Sequence, residues 1–230
     1  MGGYKQWADG DALLPSEIDE YLMGQTRMRF ASAAARDAAI TSPVEGMTVF
    51  LATTGMEYTY DGTYWAARLR RIKKTAAQPV TSSIAVVDDL HLKATLTPGT
   101  YFVDAWLHAT GSTTGDIKVT WTFSGTLTDS ARIGTGPTRT TTQVEGGSVG
   151  SPVTAAVTVG VNRSSAHFLT SEVPYGTDGS STSGIHEHLS LDVSGTGVLK
   201  LRWAQESSSG TATNLSAASH LRVERVAEDA

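Results

Sequence analysis

His186-Glu187-His188 sets two imidazoles two residues apart, and residues i and i+2 of a strand share a face, so Ser190 and Asp192 continue the row that the histidines begin. Such a pair can start a metal site. The sequence places no third ligand beside it, and Leu189, Leu191 and Val193 claim the opposite face for a core, which turns the histidines toward solvent or a subunit seam. His108, before Ala109 on a similar strand, reads the same way. Ser, His and Asp are plentiful, but no Gly-x-Ser-x-Gly elbow is present to raise a hydrolase nucleophile. Asp88-Asp89 and Glu228-Asp229 are adjacent, and neighbours in an extended chain point apart, whereas the acids that cleave glycosides converge across a cleft. Gly134-Thr135-Gly136-Pro137 lacks the later glycine and the following helix of a nucleotide loop and reads as a turn. Asn162-Arg163-Ser164 and Asn214-Leu215-Ser216 match the glycosylation triplet, which matters only to a secreted chain. The expectation is no catalytic residue, no metal and no cofactor, so function should lie in surfaces.

Strands must hold these residues, and the plainest lie between Gly197 and Val226. Leu199, Leu201 and Trp203 alternate with Lys200, Arg202 and Ala204, and after a large polar loop Leu221 and Val223 alternate with Arg222 and Glu224. This is the period of two of half-buried strands, and it predicts the edge of a β-sandwich. From about Val80 onward the chain reads β throughout. Residues 91–96 are turned by Thr97-Pro98-Gly99 into a hairpin with 101–109, residues 116–123 place Ile117, Val119, Trp121 and Phe123 inward, and further strands are expected at 131–133, 153–161, 166–172 and 186–193. In the second hairpin strand Tyr101, Val103, Ala105 and Leu107 share one face, yet Phe102 and Trp106 stand on the other beside Asp104 and His108. Two aromatics there fit a central strand covered on both sides or an oligomer contact; the contact is favoured, with Phe102, Trp106 and His108 in it. Eight or so antiparallel strands predict a jelly-roll-like sandwich, since an immunoglobulin domain needs fewer residues and often carries Cys and Trp markers.

The first part is different. After Leu14-Pro15, Ser16 caps a helix expected over 17–28, in which Ile18, Tyr21, Leu22, Gln25 and Met28 share a face. The Ala-rich residues 32–40 add a helical turn before Pro43 stops it. Short strands at 47–51, 57–60 and 64–67, divided by Thr54-Gly55 and Asp61-Gly62, make a three-stranded meander. A unit this small has little core, so residues 1–70 read as an attachment module packed on a larger assembly. Arg68, Arg70, Arg71, Lys73 and Lys74 follow, a basic linker over 71–79 that reads as a solvated linker or strand edge, or as facing an anionic partner, and the sandwich occupies 80–230.

Composition narrows the classes further. Of 230 residues 40% are hydrophobic, as in folded soluble proteins, and a net charge of -5 gives no basic field for nucleic acid. No apolar run is long enough to insert in a membrane, and residues 1–10 lack the regions of a signal peptide. Without cysteine there is no disulfide and no thiolate chemistry.

The residues also carry a family resemblance. Ala12-Leu13-Leu14-Pro15-Ser16 leading into Tyr21-Leu22, then Arg29-Phe30-Ala31-Ser32, residues 35–40, Pro43-Val44-Glu45-Gly46-Met47 and Tyr60-Asp61-Gly62-Thr63-Tyr64-Trp65 resemble the N-terminal module of minor tail and fibre-type proteins of tailed phages infecting actinobacteria. Pro98-Gly99-Thr100-Tyr101, residues 199–205 and 219–225 are similar to the C-terminal sandwich domains of such proteins. The resemblance implies a structural virion protein assembled in the bacterial cytoplasm, a homotrimer with a head like those of tumour necrosis factor and complement C1q. It further implies attachment to other virion proteins through Tyr21, Leu22, Phe30 and Trp65, and contact with a host-surface glycan or protein. No collagen-like repeat or heptad stalk is present, against a slender shaft. The alternatives are a head fibre or capsid decoration protein, and a carbohydrate-active enzyme or glycan-binding module on a jelly roll.

Overall fold

A computed structural model describes residues 10, 12, 14–17, 27–67, 69–137, 162–177, 179 and 182–226. The chain forms two compact units, Met1–Arg70 and Arg71–Ala230.

In the first unit, helix α1 (Pro15–Glu17) is followed by strand β1 (Met28–Phe30). The helix expected over 17–28 otherwise lies outside the described residues, but its last position, Met28, belongs to a strand. Ser32 then caps α2 (Ala33–Ala39), its hydroxyl accepting from the Ala35 amide at 3.2 Å, so the expected turn is a full short helix. Strands β2 (Thr48–Leu51), β3 (Met56–Tyr60) and β4 (Trp65–Ala66) complete a sheet of order β1-β2-β3-β4. The meander is there, with a fourth strand: β1 pairs parallel with β2, a geometry that needs a crossover, and α2 supplies it. At the β3–β4 turn the Asp61 carboxylate accepts from the amides of Thr63 and Tyr64 at 2.9 and 2.6 Å while Gly62 takes φ +93°.

The second unit begins in what was expected to be a solvated linker or strand edge. Residues 71–79 enter β5 (Leu69–Lys73), a strand paired with residues 220–225, and β6 (Gln78–Val80), so a strand is what forms, and Lys74 between them is buried against Asp89 rather than solvated. A strand with alternate basic residues and a linker look alike until a partner strand is known. The remaining elements are β7 (Val87–Leu96), β8 (Gly99–Thr110), β9 (Ile117–Phe123), β10 (Thr126–Pro137), β11 (Asn162–His167), β12 (Val173–Tyr175), β13 (Ser183–Gly195), β14 (Gly197–Ala204), β15 (Thr213–Leu215) and β16 (His220–Arg225). The strand expected at 153–161 lies outside the described residues. That expected at 166–172 is a strand end followed by a turn, and Gly134-Thr135-Gly136 lies inside β10 rather than in a turn.

One sheet runs β11-β10-β13-β8-β15-β6, with β16 also pairing β8 and β5; the other runs β12-β9-β14-β7. The described registers in both are antiparallel. The protein is therefore mainly β, an antiparallel sandwich. Consecutive strands β7 and β8, β9 and β10, and β13 and β14 each divide between the two sheets, which is jelly-roll connectivity. Two sequence expectations change with it. Residues 91–109 are a sheet-to-sheet corner rather than a paired hairpin, and β14 and β16 are inner strands of different sheets rather than a sandwich edge. The corner has local causes: Pro98 lacks the N–H to extend a ladder, Gly99 takes φ +140°, and the Arg225 guanidinium donates to the Pro98 carbonyl at 2.7 Å. At the same end of the sandwich a Cβ on Gly197 would lie 2.1 Å from the Gly125 amide nitrogen, so the β9–β10 and β13–β14 connections cross where only glycine fits.

Between the layers the apolar faces meet as their periodicity required. Leu92, Val103, Ile117, Val119, Trp121, Leu189, Leu191, Leu199, Leu201, Trp203 and Leu221 have essentially no exposed surface.

Candidate functional site

The two outer faces of the sandwich differ in chemistry. On the four-stranded sheet, the outward positions of β9, β14 and β7 include Thr122, Lys200, Arg202 and Asp88, with Asp88 accepting from Lys200 at 2.8 Å and paired with Arg202 at 2.9 Å, while Thr120 is buried beneath Thr170. That face suits water. On the larger sheet Phe102 (42% exposed) and Trp106 (48%) of β8 stand out with Ile133 (45%) of β10, and Phe168 (84%), just past the edge strand β11, flanks them. These are four of the six exposed large hydrophobic residues described in the second unit. Phe102 and Trp106 lie on an inner strand, bordered by β13 on one side and β15 and β16 on the other. Among the described residues nothing buries these rings.

Register builds rows across this face. Thr135, His186, Trp106 and His220 are cross-strand neighbours in one row, and Ile133, His188, Asp104 and Arg222 in the next. Ala131, Ser190, Phe102 and Glu224 form a third. Side chains directly opposite one another are within contact range. Accordingly the His186 ring stacks on Trp106 with centroids 4.2 Å apart and planes 19° from parallel, His220 lies on Trp106's other side at 6.5 Å and 12°, and Phe102 tilts against His188 at 6.0 Å. Asp104 sits in the middle. One of its oxygens is 2.7 Å from His188 Nδ1 and 3.5 Å from His186 Nε2, and the other is 4.0 Å from the Arg222 guanidinium, which bonds Glu224 at 2.5 Å. His108 joins Trp106, Thr135, Gly184 and His186 around a shallow, half-open groove of about 230 Å³.

This arrangement limits the available chemistry. A sugar stacks on an open ring face, and both faces of Trp106 have imidazoles beside them. Among the described residues no group of three or more His, Asp or Glu has the geometry of a metal site, although Asp104 approaches the histidine pair. One carboxylate pair adjoins among the described residues, Asp129 and Asp192 as cross-strand neighbours, with Asp192 accepting from the Thr100 hydroxyl at 2.8 Å; it lies away from Asp104. Asp192 pairs with Thr100, four residues from Asp104 along β8, which separates the two by about 13 Å at about 3.3 Å per residue, beyond the roughly 5–9.5 Å used by glycosidases. Glu172 is engaged by Lys118 at 2.7 Å.

Glu187, between the two histidines, faces the other way and is wholly buried. It receives Arg132 Nε at 2.5 Å and Nη2 at 2.9 Å, the Tyr175 hydroxyl at 2.6 Å and the Trp121 indole N–H at 3.4 Å. Arg132 also donates to the carbonyls of Val119, Leu169 and Ser171. A buried ion pair is tolerated when its remaining donors and acceptors are satisfied, as here; the pair lies within the larger sheet, and its bonds to Tyr175, Trp121 and Val119 tie it to the other. Gly134 makes room for it: a Cβ there would be 1.9 Å from the Tyr175 hydroxyl oxygen.

Of the residues assigned to attachment, Tyr21 and Leu22 lie outside the described residues. Phe30 is half-buried in β1, and Trp65 in β4 packs against Tyr60, centroids 5.3 Å apart, and under the Arg36 guanidinium at 4.8 Å. Asp104 was expected on the face of Trp106; Ile133, His220 and Arg222 were not. Strand alternation put them outward, but only cross-strand register shows that they adjoin.

No protein-family profile matches the chain, and no curated protein does. Among solved structures, that of infectious bursal disease virus Gx strain is 13% identical, covering 75% of this chain and 39% of its own, with a TM-score of 0.17. A subviral particle of the same virus is 11% identical, covering 74% and 44%, with a TM-score of 0.16. Scores this low do not mark a shared fold, and the chain spans less than half the length of either viral protein.

Proposed function

We propose that this chain is a non-enzymatic structural protein of a tailed-phage virion, of the minor tail or fibre type. Its first unit docks on other virion proteins and its sandwich projects as a homotrimer, presenting loops to a host-surface glycan or protein. The observation that carries the reading is the aromatic outer face of the larger sheet, set against a charged outer face on the other: Phe102, Trp106 and Ile133 leave the molecule with one surface suited to water and one suited to protein. The sequence resemblance supplies the virion context. The scattered and engaged carboxylates favour it over a carbohydrate-active enzyme, and the imidazoles on both sides of Trp106 favour it over a sugar-stacking module.

Two measurements test it. Light scattering of the full chain at about pH 8 should give three times 24.3 kDa, about 73 kDa, where a monomer removes the trimer from the proposal. Antibody raised against the sandwich should label tail or fibre structures on phage particles carrying the gene, and particles without the protein would remove the virion role.

A further inference from the structure

Four of the chain's six histidines, His108, His186, His188 and His220, stand on the aromatic face proposed as the seam. Histidine is the side chain that gains charge between about pH 5 and 8. The groups that face the four from neighbouring strands are Asp104 on β8, Arg222 and Glu224 on β16, and Thr135 and Ile133 on β10, with exposed Arg71 and Lys73 on β5 alongside β16; on β13 itself Asp192 lies two rows from His188, next to Asp129 of β10. Glu224 is committed to Arg222, leaving Asp104 as the one carboxylate for the histidines, with His188 on it and His186 making no hydrogen bond through Nε2. With neutral imidazoles Asp104, Glu224 and Arg222 together carry -1, and four added protons take these three and the histidines to +3, beside the fixed positive charges of Arg71 and Lys73.

From this geometry we infer that association of copies through this face is switched by pH, intact above neutrality and released on acidification. The inference rests on the self-association proposed above. The occupant is a second copy of this chain, because the face carries cationic Arg222 beside anionic Asp104 and Glu224 and is thus complementary to itself. Burial in a seam disfavours the charged form of an imidazole, so the free subunit binds protons more readily than the assembly. Association is then full above the free-subunit titration and lost as the pH falls through it. Around a symmetry axis the same cationic cluster would also meet its own copies.

The test is light scattering of the full chain from about pH 8 to about pH 5, beside circular dichroism, for the native protein and for His186→Gln with His220→Gln. The expected result is a fall from about three-fold to one-fold the subunit mass with the β signal unchanged, and retention of the assembly at about pH 5 by the double variant. A native assembly whose mass is constant across the range overturns the switch while leaving self-association intact. Dissociation of the double variant at the native midpoint overturns it as well, by placing the proton elsewhere, and so does loss of the β signal together with the assembly. A native monomer at every pH overturns the seam itself and the switch with it.

Discussion

At the residue scale the most consequential side chain is Glu187, because it sits between two outward histidines yet holds the core together. Truncating one partner of a satisfied buried pair leaves the other as an uncompensated charge, a loss of about 3–5 kcal/mol. Arg132→Leu or Glu187→Leu should each lower the denaturation midpoint by that order, and the double variant should be less damaged than either single one; chemical denaturation of the three measures this. Gly134→Ala should destabilise by about 1–3 kcal/mol, because the new methyl displaces the Tyr175 hydroxyl from Glu187. Tyr175→Phe with Gly134→Ala should recover part of the loss. Trp106→Ala makes the opposite kind of prediction. Its ring is half exposed and contacts only imidazoles in the ring contacts described, so the substitution should weaken association while leaving subunit melting nearly unchanged. A collapsed melt with the oligomer intact would sink the assignment.

At the element scale, strand alternation was legible in nearly every described strand of the second unit, since apolar-in and polar-out is written residue by residue. Which strands adjoin was not. Residues 91–109 carried every local mark of a hairpin, but a corner and a hairpin share Pro and Gly, and the choice between them is made by partners distant in sequence, β14 for β7 and β13 for β8. The same partnership sets a pH effect on the solvated face. The hydrogen bond from Lys200, with the charges of Lys200 and Arg202 beside it, holds the Asp88 carboxyl below its ordinary range against the opposing effect of burial. A carboxyl whose folded titration is depressed contributes stability above its unfolded value, lost as the pH falls through the folded one. Because the side chain is 46% exposed, solvent screening keeps the contribution to about 0.5 kcal/mol or less. NMR titration should therefore find Asp88 protonating at lower pH than other exposed carboxylates, and Lys200→Met should move it upward with little change in melting temperature.

At the scale of the whole molecule, the two units are unequal in core. The first has Val49, Leu51 and Ala67 as its fully buried apolar residues among those described, whereas the second encloses the whole sandwich cluster. Small units bury too little surface to be stable alone. Residues 1–70 in isolation should thus show no cooperative melt, and 71–230 should melt sharply; a two-state transition in the shorter fragment would remove the case for an attachment module that needs its particle.

The sequence by itself determined that the chain is mainly β, that one face of each long strand is core, and that Phe102, Trp106, His186 and His188 point outward, because a period of two needs no knowledge of neighbours. Tertiary structure alone decided that Phe102, Trp106 and Asp104 share one surface with His186, His188, His220 and Arg222, that Lys74 and Glu187 are buried with partners, and that the basic stretch after Arg70 is a strand rather than a solvated linker. Register sets those outcomes, and register arises when strands far apart in sequence align their apolar faces, so no local window contains it.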